Sequence, residues 1–158
     1  VNNAAIAIAG NLVDVAPEDL DRILNVNVRG PVVATQEALR HMRSGGRVIH
    51  IGSVNGGYVP FAGFSLYALS KAALTGLTHG LARELGERGI TVNDVQPGPV
   101  DTDMNPAHGP QGEHLTSLTA VKRYGKAHEI ASFVAHLAGP DGGYITGAGL
   151  RIDGGFAA

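Results

Sequence analysis

The chain contains no cysteine. Disulfides, thiolate zinc sites and thiol nucleophiles are therefore excluded, and a reducing compartment, the cytoplasm, is the expected setting. Charge is also scarce. Only 16% of the 158 residues are charged, the net charge is −2, and the basic residues are scattered. That leaves no electrostatic footprint for nucleic acid or for an anionic membrane surface. No apolar run approaches the roughly 18 residues that a bilayer span requires. No signal-peptide pattern is visible. With 44% apolar residues, the composition suits one globular domain with a buried core.

The order of patterns points to alternating strands and helices. Val1 to Ile8 is apolar and predicts a short buried strand. Pro17-Glu18-Asp19-Leu20 reads as a helix start, because proline suits the first turn and acids there complement the dipole. An apolar stripe then runs to Met42, with a bend or interruption expected at Gly30-Pro31. Arg47 to Ser53 predicts a buried strand, and about Gly63 to Arg88 a long helix ended by Gly89. Ile90 to Gln96 is the next strand. Residues 97 to 117, rich in Pro and Gly, predict a long irregular binding loop. A helix over about Ala127 to Ala138 and a last strand in "GLRIDGG" complete the pattern. Such alternation argues for a parallel α/β sheet, whose ligands sit outside the carboxyl ends of the strands. That places a site near Ala5, Ser53 and Pro97-Gly98.

One stretch, "SLYALSKAAL", sets Tyr67 and Lys71 four residues apart on one helix face. An ammonium beside a phenol is expected to favour phenolate and lower the phenol from its ordinary value near 10. Tyr67 would then exchange a proton near neutral pH. Ser53, at a strand end, is placed to hydrogen-bond the same substrate oxygen. Asn27, beside Gly30-Pro31, offers an amide to anchor a water or a backbone group near Lys71. Tyr-x-x-x-Lys by itself is common on helices and usually structural. The surroundings change that: "IGS", a Gly-containing loop, "YALSK" and "QPG" form an ordered set.

That set resembles the short-chain dehydrogenase/reductase family over essentially the whole chain. "VNNAA" is similar to the family's N-N-A-G turn, "NVNVRG" to the helix with the active-site Asn, and "IGSVNG…YALSK" to the Ser and Tyr signature. "VQPGPVDTDM" is similar to the segment beside the nicotinamide, and "ITGAGLRIDGG" to the last strand. The wording of two stretches also resembles a bacterial subgroup that includes a cyclic-di-GMP-binding biofilm-dispersal member. The resemblance implies a Rossmann-like doubly wound parallel sheet and an oxidoreductase moving hydride between NAD or NADP and a small carbonyl or secondary alcohol. It implies a catalytic set of Asn27, Ser53, Tyr67 and Lys71, with Tyr67 as general acid or base. Lys71 would lower the Tyr67 pKa and hold the nicotinamide ribose; Asn27 would join a proton relay through Lys71. Cofactor contacts would come from Asn3, Ala4, Ala5, Tyr67, Lys71, Pro97, Gly98, Val100 and Thr102. A homo-oligomer, dimer or tetramer, is implied through the helix carrying Ala72, Ala73, Gly76 and Gly80.

Two departures stand out. Ala5 occupies the last Gly of the family turn; a positive φ there would cost about 1 kcal/mol or more. The Gly-rich phosphate turn and the residue that chooses NAD or NADP do not occur. Residues 1–158 are therefore expected to be the carboxyl-terminal part of one Rossmann domain lacking its first strands, on the order of 80 residues at 30 or more per βαβ unit. The alternatives are a cyclic-dinucleotide-binding regulatory protein on the same scaffold, or an inactive fragment. The seven His show no metal spacing, and no metal is expected. Asp101 and Asp103 read as capping or solvated residues. Tyr58, Phe61 and Phe64 are either packing residues or an apolar pocket wall.

Overall fold

A computed structural model describes all residues, Val1–Ala158. Three parallel strands form the central sheet: β1 (Arg47–Ile51), β2 (Thr91–Pro97) and β5 (Ala148–Ile152), in the order β1-β2-β5. The register sets Val48 opposite Val92, His50 opposite Asp94 and Gln96 opposite Arg151. The crossovers are helical, as parallel pairing requires. Helix α3 (Ser65–Leu85) joins β1 to β2, and α5 (Ala127–Ala138) lies between β2 and β5.

Alternation along the strands fills both faces. Val48, Ile90 and Val92 pack with Leu85, Leu39 and Met42 on the side of α3 and α2 (Gly30–Leu39). Ile49 and Val95 pack with Leu137, Ile130 and Val134 of α5 on the other. Strands buried on both faces read as continuous apolar runs. A third cluster of Val54, Leu115, Tyr124 and Phe156 lies over the carboxyl ends.

Three expectations need correction. The segment from Val1 to Ile8 is not a strand. Asn2 alone bridges β1, its N–H donating to the Ile49 carbonyl (2.8 Å) and its carbonyl accepting from the Ile51 N–H (2.9 Å). Beyond Asn2 the backbone leaves the sheet, because Ile6 is held elsewhere, as described below. The segment after Pro97 is not uniformly irregular. It holds the short β3 (Val100–Asp101), paired with β4 (Gly125–Lys126), and a helix α4 (Gly112–Leu118) whose Leu115 is buried. Asp101 caps this region, its Oδ1 accepting the Ala107 N–H at 2.8 Å.

The third correction concerns the first helical stripe. Helix α1 (Pro17–Leu24) does not break at Gly30-Pro31 but runs into a π-helical turn, Asn25–Arg29, and then α2. The Gly30 N–H donates to the Asn25 carbonyl, five residues back. Pro31 has no N–H to bond the carbonyl four residues earlier, so a regular turn is already disfavoured there. Widened turns of this kind occur often at functional sites. Further along, Gly89 stops the α3 segment in the left-handed region, at φ +68°, as its sequence position predicts.

Candidate active site

A cleft of about 780 Å³ opens at the carboxyl ends of β1 and β2. Its polar floor contains Ser53, Tyr67 and Lys71, and its rim includes Asn3, Ala4 and Ala5. Pro97, Gly98, Val100 and Thr102 line the same space. The sheet rule for ligand position is thus satisfied by the geometry.

Each polar group has a local reason for its place. Ser53 follows β1 in extended conformation and caps the 3-10 turn Val54–Gly56, its Oγ accepting the Asn55 N–H at 3.1 Å. Tyr67 and Lys71 occupy successive turns of α3. The Lys71 Nζ lies 5.8 Å from the centre of the Tyr67 ring and donates to the Ile51 carbonyl at 2.8 Å. Phe61, Phe64 and Tyr67 form an edge-to-face ladder with centroids 5.0 and 5.8 Å apart. Phe61 and Phe64 line the cleft, whereas Tyr58 turns to Phe156. The apolar-wall reading therefore describes two of these three aromatics.

The expected acidification of Tyr67 by Lys71 is not what the geometry gives. Burial raises the phenol above its usual value of 10.0, and the Ser53 side chain draws it part of the way back. The ammonium lies 5.8 Å from the ring centre and spends one N–H on the Ile51 carbonyl. Lys71 itself is the strongly shifted group. Burial lowers it to about 8, against an opposing pull from Asp94.

Asn27 does anchor a backbone group, one of the two alternatives its amide offered, but it does so away from the cleft. It is buried, at 1% exposure, and does not line the cleft. Its Oδ1 accepts the Ile6 N–H at 2.9 Å, and its Nδ2 donates to the Ile6 carbonyl (2.8 Å) and to Ser70 Oγ (3.0 Å). Both N–H donors of the side-chain amide are thus occupied. Its work is to clamp the Asn3–Ile6 segment onto α3, through Ser70, which in turn donates to the Tyr67 carbonyl at 2.7 Å. Ala5 carries no strain, since Lys122 is the one non-glycine residue with positive φ.

One residue beside the site has no counterpart in the sequence reading. Asp94 is fully buried on β2. An acid in the middle of the strand-forming stretch "ITVNDVQ" was the available signal.

A family model described as enoyl-(acyl carrier protein) reductase matches residues 1–157. The chain belongs to the short-chain dehydrogenase/reductase family. This dehydrogenase/reductase is 51% identical to the cyclic-di-GMP-binding biofilm dispersal mediator protein of Escherichia coli K12, over 100% of the chain and 67% of that protein. It is 61% identical to a short-chain dehydrogenase/reductase from Serratia marcescens, with a TM-score of 0.97. A Burkholderia cenocepacia short-chain dehydrogenase solved in complex with NADP is 55% identical, with a TM-score of 0.98. Each superposition covers 99% of this chain and 64% of the other. The Rossmann-like parallel sheet of the family is thereby established for this chain. No helix is long and apolar enough to cross a membrane.

Proposed function

We propose that this dehydrogenase/reductase chain serves an NAD(P)-dependent reduction of a small carbonyl compound, or the reverse oxidation of a secondary alcohol. The observation that carries the reading is the convergence of Ser53, Tyr67 and Lys71 on one cleft at the carboxyl ends of parallel strands. A nicotinamide bound there supplies or accepts the hydride.

The side chains fit the remaining tasks. A phenol held above 10 stays protonated at neutral pH, so Tyr67 rests as a proton donor. An alkoxide is a far stronger base than a phenolate, so the phenol need not be acidified to protonate a reduced carbonyl oxygen. Ser53 hydrogen-bonds that oxygen as its charge develops. The Ser53 side chain, which draws the phenol downward, favours the phenolate that remains. Lys71 uses one of its three N–H groups on Ile51, leaving two toward ribose hydroxyls. The backbone N–H groups of Asn3, Ala4 and Ala5 have no acceptor within the chain, and these residues line the same cleft. Pro97, Gly98, Val100 and Thr102, which line the cleft, would flank the nicotinamide. NADP is favoured over NAD by the Burkholderia relative solved with it.

The full-length protein, supplied with NADPH or NADH and a carbonyl panel, should consume the reduced cofactor. Tyr67→Phe should lower kcat about 10²- to 10⁴-fold while cofactor binding stays within a few-fold. Full turnover in Tyr67→Phe would defeat the reading. A second reading, a cyclic-dinucleotide-binding regulator, draws on the name of the E. coli relative; tight cyclic-dinucleotide binding without turnover would favour it. The outer stripe of α3 fits a homo-oligomer, since Gly76 and Gly80 face open space. Sedimentation of the protein against a Gly80→Arg variant tests that assembly.

A further inference from the structure

A carboxylate with no exposed surface stands behind the lysine of the cleft. On α3, Tyr67, Lys71 and Thr75 follow one another at four-residue steps, so their side chains share one face. Thr75 Oγ1 donates to Asp94 Oδ2 at 2.8 Å, and Gln96 Nε2 donates to the same oxygen at 2.9 Å. Asp94 Oδ1 is buried and has no hydrogen-bond partner. It lies against Gly52, where a β-carbon would collide with the carboxylate. Gly52 directly follows Ile51, whose carbonyl holds the Lys71 ammonium. The carboxylate is therefore anchored one helical turn from Lys71 and packed on the residue next to its acceptor.

We propose that Asp94 is the buried counter-charge of Lys71, a positioning residue that keeps the lysine an ammonium in the cleft. The inference rests on the proposed use of Lys71 but not on turnover itself.

The surroundings leave no rival for this role. Across the sheet, the register partner of Asp94 on β1 is His50. The Asn2 amide donates to His50 Nδ1, and burial lowers its pKa to about 4, so it is neutral at pH 7. On β5 the register partner is Gly149; Arg151, two residues on, turns its guanidinium to the Ala157 carbonyl. His79, one turn beyond Thr75, is exposed. Lys71 remains the one buried cation on the neighbouring turn; it makes no direct ion pair with the carboxylate, its ammonium donating to the Ile51 carbonyl. The influence is mutual: Asp94 pulls Lys71 upward, and Lys71 pulls Asp94 downward against the larger effect of burial. A buried charge without a counter-charge is strongly disfavoured, so each group is expected to favour the charged form of the other. The two donors on Oδ2 also favour the ionised form.

The experiment is a titration that needs no cofactor and no substrate. The chain has three lysines, Lys71, Lys122 and Lys126. With ε-¹³C-lysine, the Lys71 resonance is assigned by its loss in Lys71→Arg. In the unaltered protein it should titrate with a midpoint near 8. In Asp94→Asn the midpoint should fall by about one pH unit, at the lower end of the roughly 1–3 units that a near opposite charge contributes. Asp94→Val, which suits a buried strand, is the second variant where Asn impairs folding. In Lys71→Met the Asp94 carboxyl ¹³C resonance should titrate at higher pH. A merely structural Asp94 would leave the Lys71 midpoint unmoved in both Asp94 variants, and that result overturns the proposal. The reductase reading fails separately, by absence of turnover in a protein whose Lys71 still responds to Asp94. Where turnover is present, the alkaline limb of kcat/KM should move to lower pH in Asp94→Asn.

Discussion

Replacing Asn27 with alanine tests the clamp that holds the start of the chain beside the cleft. The side chain makes three hydrogen bonds, two of them to the backbone N–H and carbonyl of Ile6. Ile6 is half-buried and has no other partner for either group. A net hydrogen bond is worth about 0.5–1.5 kcal/mol, and a stranded buried polar group costs about 1–3 kcal/mol. Water reaches a half-buried site in part, so the total should be about 3 kcal/mol, not the sum of the maxima. For a chain of this size that lowers Tm by about 6–12 °C at roughly 2–4 °C per kcal/mol. Differential scanning calorimetry of the two proteins gives the number. Amide exchange should localise the effect, with faster exchange at Ile6 and little change in β1 and β2. Asn27→Asp sharpens the test: one oxygen still accepts from the Ile6 N–H, but the other faces the Ile6 carbonyl, so it should be as unstable as the alanine variant. A Tm for Asn27→Ala within 2 °C of the parent would refute the clamp.

Two further perturbations follow from close contacts and burial. A β-carbon at Gly98 would lie 2.7 Å from Cα and Cβ of Asp153, so Gly98→Ala must push the Pro97–Val100 turn off the end of β5. It should cost about 1–3 kcal/mol in urea unfolding and weaken NADPH binding; unchanged values for both would show that the turn is not fixed by that contact. His50 has a pKa lowered to about 4 by burial, whereas the unfolded chain takes up its proton near 6.5. As pH falls through that window the unfolded state gains the proton first, so on the order of 3 kcal/mol of stability should be lost between about pH 6.5 and 4. His50→Gln should flatten that part of the stability-pH curve, and an unaltered slope would exclude His50 as its source.

The elements with strong periodicity were legible from the sequence because burial imposes a period. The "RVIHI" and "TVNDV" stretches sit between two helical layers, and α3 repeats apolar residues at three and four. The first segment misled because an apolar run says nothing about how many residues find a partner. Asn2 bridges β1, and then the Asn27 amide captures Ile6 and draws the backbone away. Helix α4 is seven residues long, too short for a period to emerge beside the glycines and prolines that surround it. The π turn was equally hidden, since Gly30-Pro31 signals only that a regular bond is missing, not that the ring widens to close it.

The candidate site divides in the same way, between what side-chain identity can say and what direction decides. Spacing set Tyr67 and Lys71 on one helix face and Ser53 at a strand end, and the ordered set of motifs, through the family resemblance, joined them into one site. Spacing could not say where the ammonium points. Directed at Ile51 and over the ring, it leaves burial as the dominant influence on the phenol. The consequence is an exchange of roles: the phenol rests as the acid, and the lysine becomes the group whose charge must be defended. A buried lysine calls for an anion, and on the proposed reading Asp94 supplies it from the central strand, with Gly52 leaving the space it occupies. An acid there is costly for the fold on its own. Its persistence in the core is intelligible once the lysine in front of it is counted.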